Sequence, residues 1–155
     1  MTFDDWLLAL HLLSAFALVG AITLFSIVML AFERTDSAEK IAALAPVMTV
    51  GKIAVPVGTL GTLVFGVWLA ISLDGVQLWD LWVVLALVGW FIAAGLGGRA
   101  GKLSGESFAQ IQAAAAAGDQ DAVLRARDPM IARLHWLSTA VTLLILVDMI
   151  WKPGA

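Results

Sequence analysis

The longest uncharged run in the chain reads WLLALHLLSAFALVGAITLFSIVMLAF, from Trp6 to Phe32. Roughly 20 apolar residues are enough for a helix to cross the ~30 Å hydrocarbon layer of a bilayer. A helix satisfies its own backbone hydrogen bonds, so continuous hydrophobicity without strict alternation predicts a spanning helix and not a barrel strand. Asp4 and Asp5 stand where a signal peptide would carry basic residues, and we therefore expect a retained helix.

Three further apolar stretches follow, and the composition agrees with a membrane protein. Hydrophobic residues make up 61% of the chain and charged residues 14%, and the mean hydropathy is +0.96. We predict an all-α fold, a four-helix transmembrane bundle that forms one integral membrane domain over residues 1–155. The predicted spans cover about residues 6–32, 53–73, 79–98 and 131–151. A cytoplasmic helical connection is expected over about 99–130.

Glycines cluster where the third span is predicted to end, and we expect a helix exit and hinge at that point. They are Gly95, Gly97, Gly98 and Gly101. In the connection that follows, Gly118 is expected to cap a helix, and a short helix then leads into Pro129.

The basic residues are divided unequally between the two predicted sides. Eight of the nine lie in the 1–2 and 3–4 connections or at the adjoining helix starts, and Lys152 lies on the other side. The eight are Arg34, Lys40, Lys52, Arg99, Lys102, Arg125, Arg127 and Arg133. The positive-inside rule therefore places both connections in the cytoplasm and both termini outside. Four tryptophans are expected at the outer interface: Trp6, Trp79, Trp82 and Trp151.

Small residues recur at four-residue intervals along the second span, at Gly58, Thr62 and Gly66. This spacing lets two helices approach each other closely. Packing within the chain is favoured over a homodimer interface. The lipid bilayer is the first expected partner, other membrane subunits are further candidates, and no nucleic-acid partner is expected.

Ionisable groups within spans are costly in lipid and are candidates for function. His11 lies five residues inside Trp6, about 8 Å along the helix from the outer boundary, with Ser14 at the edge of its face. Counting along antiparallel helices places Asp148 at a similar depth, with Lys152 just beyond it.

Three interpretations of His11 stay open. It donates to a carbonyl or to Asp148 and fixes helix register, or it is an axial ligand to haem b with its second ring nitrogen oriented by a carboxylate or hydroxyl. In the third interpretation His11, Asp148 and Met149 bind copper or relay protons.

His135 is a weaker candidate at the inner interface, where hydroxyl residues follow it at helical spacing. Interfacial anchoring is favoured over a ligand role. Span arithmetic separates His11 and His135 by roughly 15–20 Å, so they cannot ligate one iron in the same subunit. Lys52 lies at the inner boundary, where its side chain can snorkel, and it is assigned no function.

Several chemistries are excluded by residue type. The chain has no cysteine, which removes disulfides, thiolate metal sites, iron–sulfur ligation and thiol catalysis. It also has no tyrosine, and no carboxylate pair is placed to act as general acid and base. No catalytic residue is predicted, and an enzymatic function is not favoured.

The segment Trp6–Ser14 around His11, followed by Gly20, resembles a group of small bacterial inner-membrane proteins with one histidine near the outer end of the first helix. The closing Asp148–Pro153, with its Lys-Pro pair, is similar to the ending of the same group. The group includes a four-helix family of unknown function and, more distantly, HemJ-type protoporphyrinogen oxidases and CopD-type copper proteins. Similarity to the HemJ type implies His11 as the haem ligand and Lys152 as a second important group.

The chain departs from the HemJ type after the histidine. It has no basic residue in 20–31, where those proteins carry an aromatic and arginine-rich stretch. The resemblance therefore does not extend to porphyrin oxidation. We expect a small inner-membrane protein that binds haem b or serves as a redox-associated accessory component. The alternatives are a structural or assembly subunit of a larger membrane complex, and a protein that handles copper or a small solute.

Overall fold

A computed structural model describes residues 2–34, 45–126 and 128–154. Regular secondary structure in these ranges is entirely helical. The helices are α1 (Phe3–Glu33), α2 (Ala45–Ser72), α3 (Leu81–Ala116), α4 (Gln120–Arg125) and α5 (Pro129–Trp151). All but α4 contain a stretch long and apolar enough to cross a membrane. The predicted all-α class with four candidate spans is confirmed.

Polar residues fix the helix starts. Thr2 and Asp5 form a capping box at α1, because Thr2 N–H donates to Asp5 Oδ2 (2.7 Å) and Asp5 N–H donates to Thr2 Oγ1 (3.3 Å). This box begins α1 three residues before the predicted span. Asp128 accepts from Met130 N–H at 2.8 Å and caps α5, which starts with Pro129.

The expected helix exit and hinge at the glycines is wrong, because α3 continues without a break to Ala116. Its 36 residues extend about 54 Å, well beyond a ~30 Å hydrocarbon layer. No proline follows Gly101 within α3, and the stretch after it, although it contains Ser104, Gly105 and Ser107, is otherwise rich in helix-forming residues. Gly118 then adopts a φ of 72° just after the helix, as predicted, and α4 packs back on α3 through Ile111 and Val123.

The four long helices form two antiparallel pairs, α1 with α2 and α3 with α5, and contact between the pairs is sparse. Among the described residues, two side chains join the pairs by hydrogen bonds. Trp90 Nε1–H on α3 donates to the Thr59 carbonyl on α2 (3.0 Å), and His135 on α5 bonds to Ser26 on α1 (2.8 Å). The bundle is therefore a loose association of two closely packed hairpins.

Both described chain ends lie at one end of the bundle, which we call the terminal end. There the Ser72 hydroxyl donates to Asp4, and a Cβ added at Gly154 would lie 3.6 Å from Leu81 Cβ. Three of the four tryptophans predicted to lie together are exposed at this end, namely Trp6, Trp79 and Trp151, and Trp68 beside Phe3 is exposed there too. Trp82, which was expected among them, is buried beneath Lys152, whose Nζ lies 5.2 Å from its ring centroid. The other end of the bundle is called the opposite end.

Candidate functional site

His11 at the terminal end is held by the backbone of α2. Its Nδ1 lies 3.1 Å from the Thr62 carbonyl oxygen. A carbonyl can only accept, so Nδ1 carries the proton and Nε2 keeps its lone pair. Of the two contacts predicted for a helix-register role, the structure has the carbonyl.

The imidazole ring lies on a glycine. A Cβ built on Gly66 would be 2.8 Å from His11 Cε1 and 3.0 Å from Nδ1, both inside van der Waals contact. Five residues earlier on α2, a Cβ on Gly61 would collide with Ser14 Oγ. The Ser14 hydroxyl donates to the Leu10 carbonyl of its own helix (2.8 Å), and its role in the described structure is close packing.

The predicted ridge of small residues on α2 faces α1 of the same chain. A Cβ on Gly58 would lie 2.8 Å from the Leu18 backbone nitrogen, so the two backbones are nearly in contact there. The Thr62 hydroxyl donates to the Gly58 carbonyl at 2.9 Å, which keeps it within its own helix. A homodimer through Gly58, Thr62 and Gly66 would need a second helix on a ridge that α1 already covers.

Asp148 and Lys152 are not hydrogen-bonded to His11 in the described part of the chain. The Lys152 backbone has a left-handed φ of 44°, and its N–H donates to the Asp148 carbonyl at 2.7 Å. Its ammonium points towards Trp82 on α3. Asp148 Oδ2 is buried and has no hydrogen-bond partner among the described residues. The side chain lines a shallow apolar hollow with Leu144, Val147, Trp151 and Pro153.

Replacing Asp148 should test whether its carboxyl has a partner. We expect Asp148→Leu to raise the free energy of unfolding by about 1–2 kcal/mol, because an apolar side chain removes a buried oxygen that no described residue satisfies. Asp148→Asn keeps a buried polar atom and should change stability little. Reversible unfolding in mixed detergent micelles measures both variants. A clear loss of stability in Asp148→Leu would show that the carboxyl is paired in the folded protein.

His135 is buried at the opposite end and does not act as a simple interfacial anchor. The Ser26 hydroxyl donates to the Ile22 carbonyl (2.9 Å), so its oxygen accepts from His135 Nε2–H. The ring packs against Phe25 and Trp136, with centroids 4.9 and 5.3 Å away. Since Ser26 follows His11 by 15 residues on α1, the two histidines are roughly 22 Å apart along the helix, somewhat more than the separation expected from the sequence.

Four inter-helix hydrogen bonds among the described residues were missed in the sequence: Ser26 with His135, Trp90 with Thr59, Asp4 with Ser72, and Ser138 with the Ala93 carbonyl. Each involves a polar side chain within or at the end of an apolar run. That position is the feature of the sequence from which these contacts could have been suspected. The side chain of Lys52 lies outside the described residues. Among the residues that are described, no group of three or more His, Cys, Asp or Glu side chains is placed to hold a metal ion.

No family model, curated protein or solved structure matches the chain. The class of protein is therefore described from the fold and the site alone. The chain is helical, with four candidate membrane spans in two pairs, and one histidine near the terminal end is oriented by a hydrogen bond from Nδ1.

Proposed function

We propose that this small membrane protein binds haem b, with His11 as the axial ligand. The observation that supports the proposal is the hydrogen bond from His11 Nδ1 to the Thr62 carbonyl. Histidines that ligate metals donate their other ring N–H to a carbonyl or carboxylate, which fixes the tautomer and makes the ligating nitrogen more basic. His11 has this arrangement before any iron is considered, and its Nε2 is the donor that haem iron takes.

The chain supplies one histidine to such a haem. His135 is engaged through Nε2 at the opposite end and does not share a site with His11. Within one copy of the chain, His11 would therefore be the single histidine that holds a haem, and the haem would supply one-electron transfer. Lys152 is exposed at the terminal end, where His11 also lies, and its ammonium is the candidate to pair with the haem carboxylates. Asp148 lies near the same end of the bundle, in the last turn of α5.

The proposed membrane orientation has both termini outside and the α1–α2 and α3–α5 connections in the cytoplasm. Arg99, Lys102, Arg125 and Arg133, on or beyond the opposite end, are all exposed, as expected for a cytoplasmic surface. We propose a bacterial inner membrane as the location, which rests on the sequence resemblance. His11 would then lie near the outer surface.

An absorbance spectrum of the detergent-purified protein, after haem supplementation during expression, tests the proposal. We expect a Soret band in the wild type, its loss in His11→Ala, and its retention in His135→Gln. The glutamine variant is the matched control because it alters the other histidine while keeping an N–H donor for Ser26. Added imidazole should restore part of the band in His11→Ala. A wild type with no band, or equal loss in both variants, would rule out His11 as a haem ligand.

A structural or assembly subunit is the second candidate, and a face of α3 favours it. Cβ atoms added at Gly95, Gly98, Gly101 and Gly105 would meet nothing within 4 Å, whereas Gly89 and Gly97 on the same helix pack on α5. The part of this face at Gly95 and Gly98 lies within the predicted third span and suits close approach by another transmembrane helix. Native purification in lipid nanodiscs should then recover a stoichiometric partner, and Gly98→Leu should release it. A lone monomer would contradict this function. Copper or small-solute handling stays a prediction from the sequence.

A further inference from the structure

We infer that Gly66 sets the tautomer and direction of the His11 ring, and so decides whether Nε2 is available to a ligand. The inference about the ligand rests on the proposed function, but the inference about the tautomer does not. It concerns a positioning residue on α2 that would touch neither iron nor porphyrin.

The geometry begins with the Thr62 carbonyl. In an α-helix the carbonyl of residue 62 accepts from the N–H of residue 66. His11 donates to this same oxygen from the neighbouring helix, so its ring must lie against the backbone of residue 66. Only a residue without a side chain leaves that surface open.

An alanine at position 66 removes the space. Its Cβ would lie 2.8 Å from Cε1, whereas carbon atoms in contact are about 3.5–4.0 Å apart. The ring would have to retreat by roughly 1 Å. The Nδ1–carbonyl distance of 3.1 Å is already near the long end of an ordinary hydrogen bond, so a retreat of this size breaks it.

His135 provides an internal reference with the opposite tautomer. Its Nε2 carries the proton because the Ser26 hydrogen is donated to Ile22, which leaves the serine oxygen as an acceptor. The protein thus holds its two histidines as different neutral tautomers. Because the chain has only these two histidines, each ring can be assigned with one substitution.

Nitrogen-15 NMR of histidine-labelled protein in nanodiscs without haem, at about pH 8 where an ordinary imidazole is neutral, reads the tautomers directly. We expect Nδ1–H for His11 and Nε2–H for His135. In Gly66→Ala, the His11 signal should shift to a mixture or to Nε2–H, while His135 stays unchanged. A wild-type His11 in the Nε2–H form would overturn the inference without any variant.

Two other glycine variants distinguish a specific effect of Gly66 on the His11 ring from a general effect on the packing of α1 and α2. Gly20→Ala adds a methyl group to α1 that meets nothing within 4 Å and should leave both tautomers unchanged. Gly58→Ala pushes α1 away from α2 at Leu18, two helical turns from the ring, and should keep His11 as Nδ1–H. If Gly58→Ala moved the His11 signal as much as Gly66→Ala does, Gly66 would be one more packing residue and the inference would fail.

The same variants also test the part of the inference that concerns ligand binding. Loss of the group that orients a metal-ligating histidine weakens binding about 10–100-fold, and we expect haem affinity to fall by that factor in Gly66→Ala and not in Gly20→Ala. A wild type that binds no haem would remove the proposed function and leave the tautomer result standing. A wild type that binds haem, with Gly66→Ala binding equally well, would overturn the inference alone.

Discussion

Gly58→Ala is expected to destabilise the protein by about 1–3 kcal/mol, the typical cost of forcing an extra methyl group into a packed core. The added Cβ would lie 2.8 Å from Leu18 N and 2.9 Å from Leu18 Cα. These are backbone atoms of α1, which cannot rotate away as a side chain can. The two helices must separate at the level of Leu18, and the lost close packing there accounts for the cost.

The same substitution at Gly95 should have the opposite sign. A Cβ there meets nothing within 4 Å, and alanine in a helix interior is favoured over glycine by about 0.5–1 kcal/mol. Reversible unfolding in mixed micelles, followed by tryptophan fluorescence, compares the two variants under one set of conditions. If Gly58→Ala stabilised the protein as Gly95→Ala does, α1 and α2 would not be in the close contact described above.

The helices could be predicted because each span is a local property of the sequence. A continuous apolar run needs no knowledge of its neighbours, so the four spans and the Gly118 cap follow from composition and turn residues. The end of α3 could not be read in the same way. Glycines weaken a helix interior but do not by themselves end it, and Gly97 packs beside Ser138 on α5 within an unbroken helix.

The sequence predicted how deep each candidate residue lies along the bundle, but it did not predict how each helix is rotated about its axis. Counting residues places His11 near one end and His135 near the other. Which atom faces the ring depends on the rotation of α1 about its axis, and the contacts at Gly58, Gly61 and Gly66 fix that rotation. The carboxylate of Asp148 was an equally good partner for His11 on depth alone. In the structure the ring instead meets the Thr62 carbonyl.

The interface between the two helix pairs is weak, and no pattern in the sequence predicts where it lies. Within each pair, glycines allow close contact along several turns, whereas between the pairs the contact is sparse. The bonds of Trp90 to Thr59 and of His135 to Ser26 thus become structurally important. The hydroxyl of Ser26 also bonds to its own helix, a common local pattern that gives no sign of a partner 109 residues away.

His135→Ala should therefore separate the two pairs at the opposite end and lower the free energy of unfolding by about 2–4 kcal/mol. The ring is 7% exposed, and its removal deletes the Ser26 bond and the contact with Phe25 together. His135→Gln is the control, since its amide N–H can still reach the serine and should retain most of the stability.

Distances between spin labels distinguish separation of the pairs from general loosening. The chain has no cysteine, so labelled cysteines at exposed sites report without background. Labels at Ile27 on α1 and Met130 on α5 span the two pairs, and labels at Arg99 and Met130 lie within one pair. We expect His135→Ala to lengthen and broaden the first distance and to leave the second unchanged. Equal broadening of both would mean that His135 stabilises the α3–α5 pair itself, and the bond to Ser26 would then not be what holds the hairpins together.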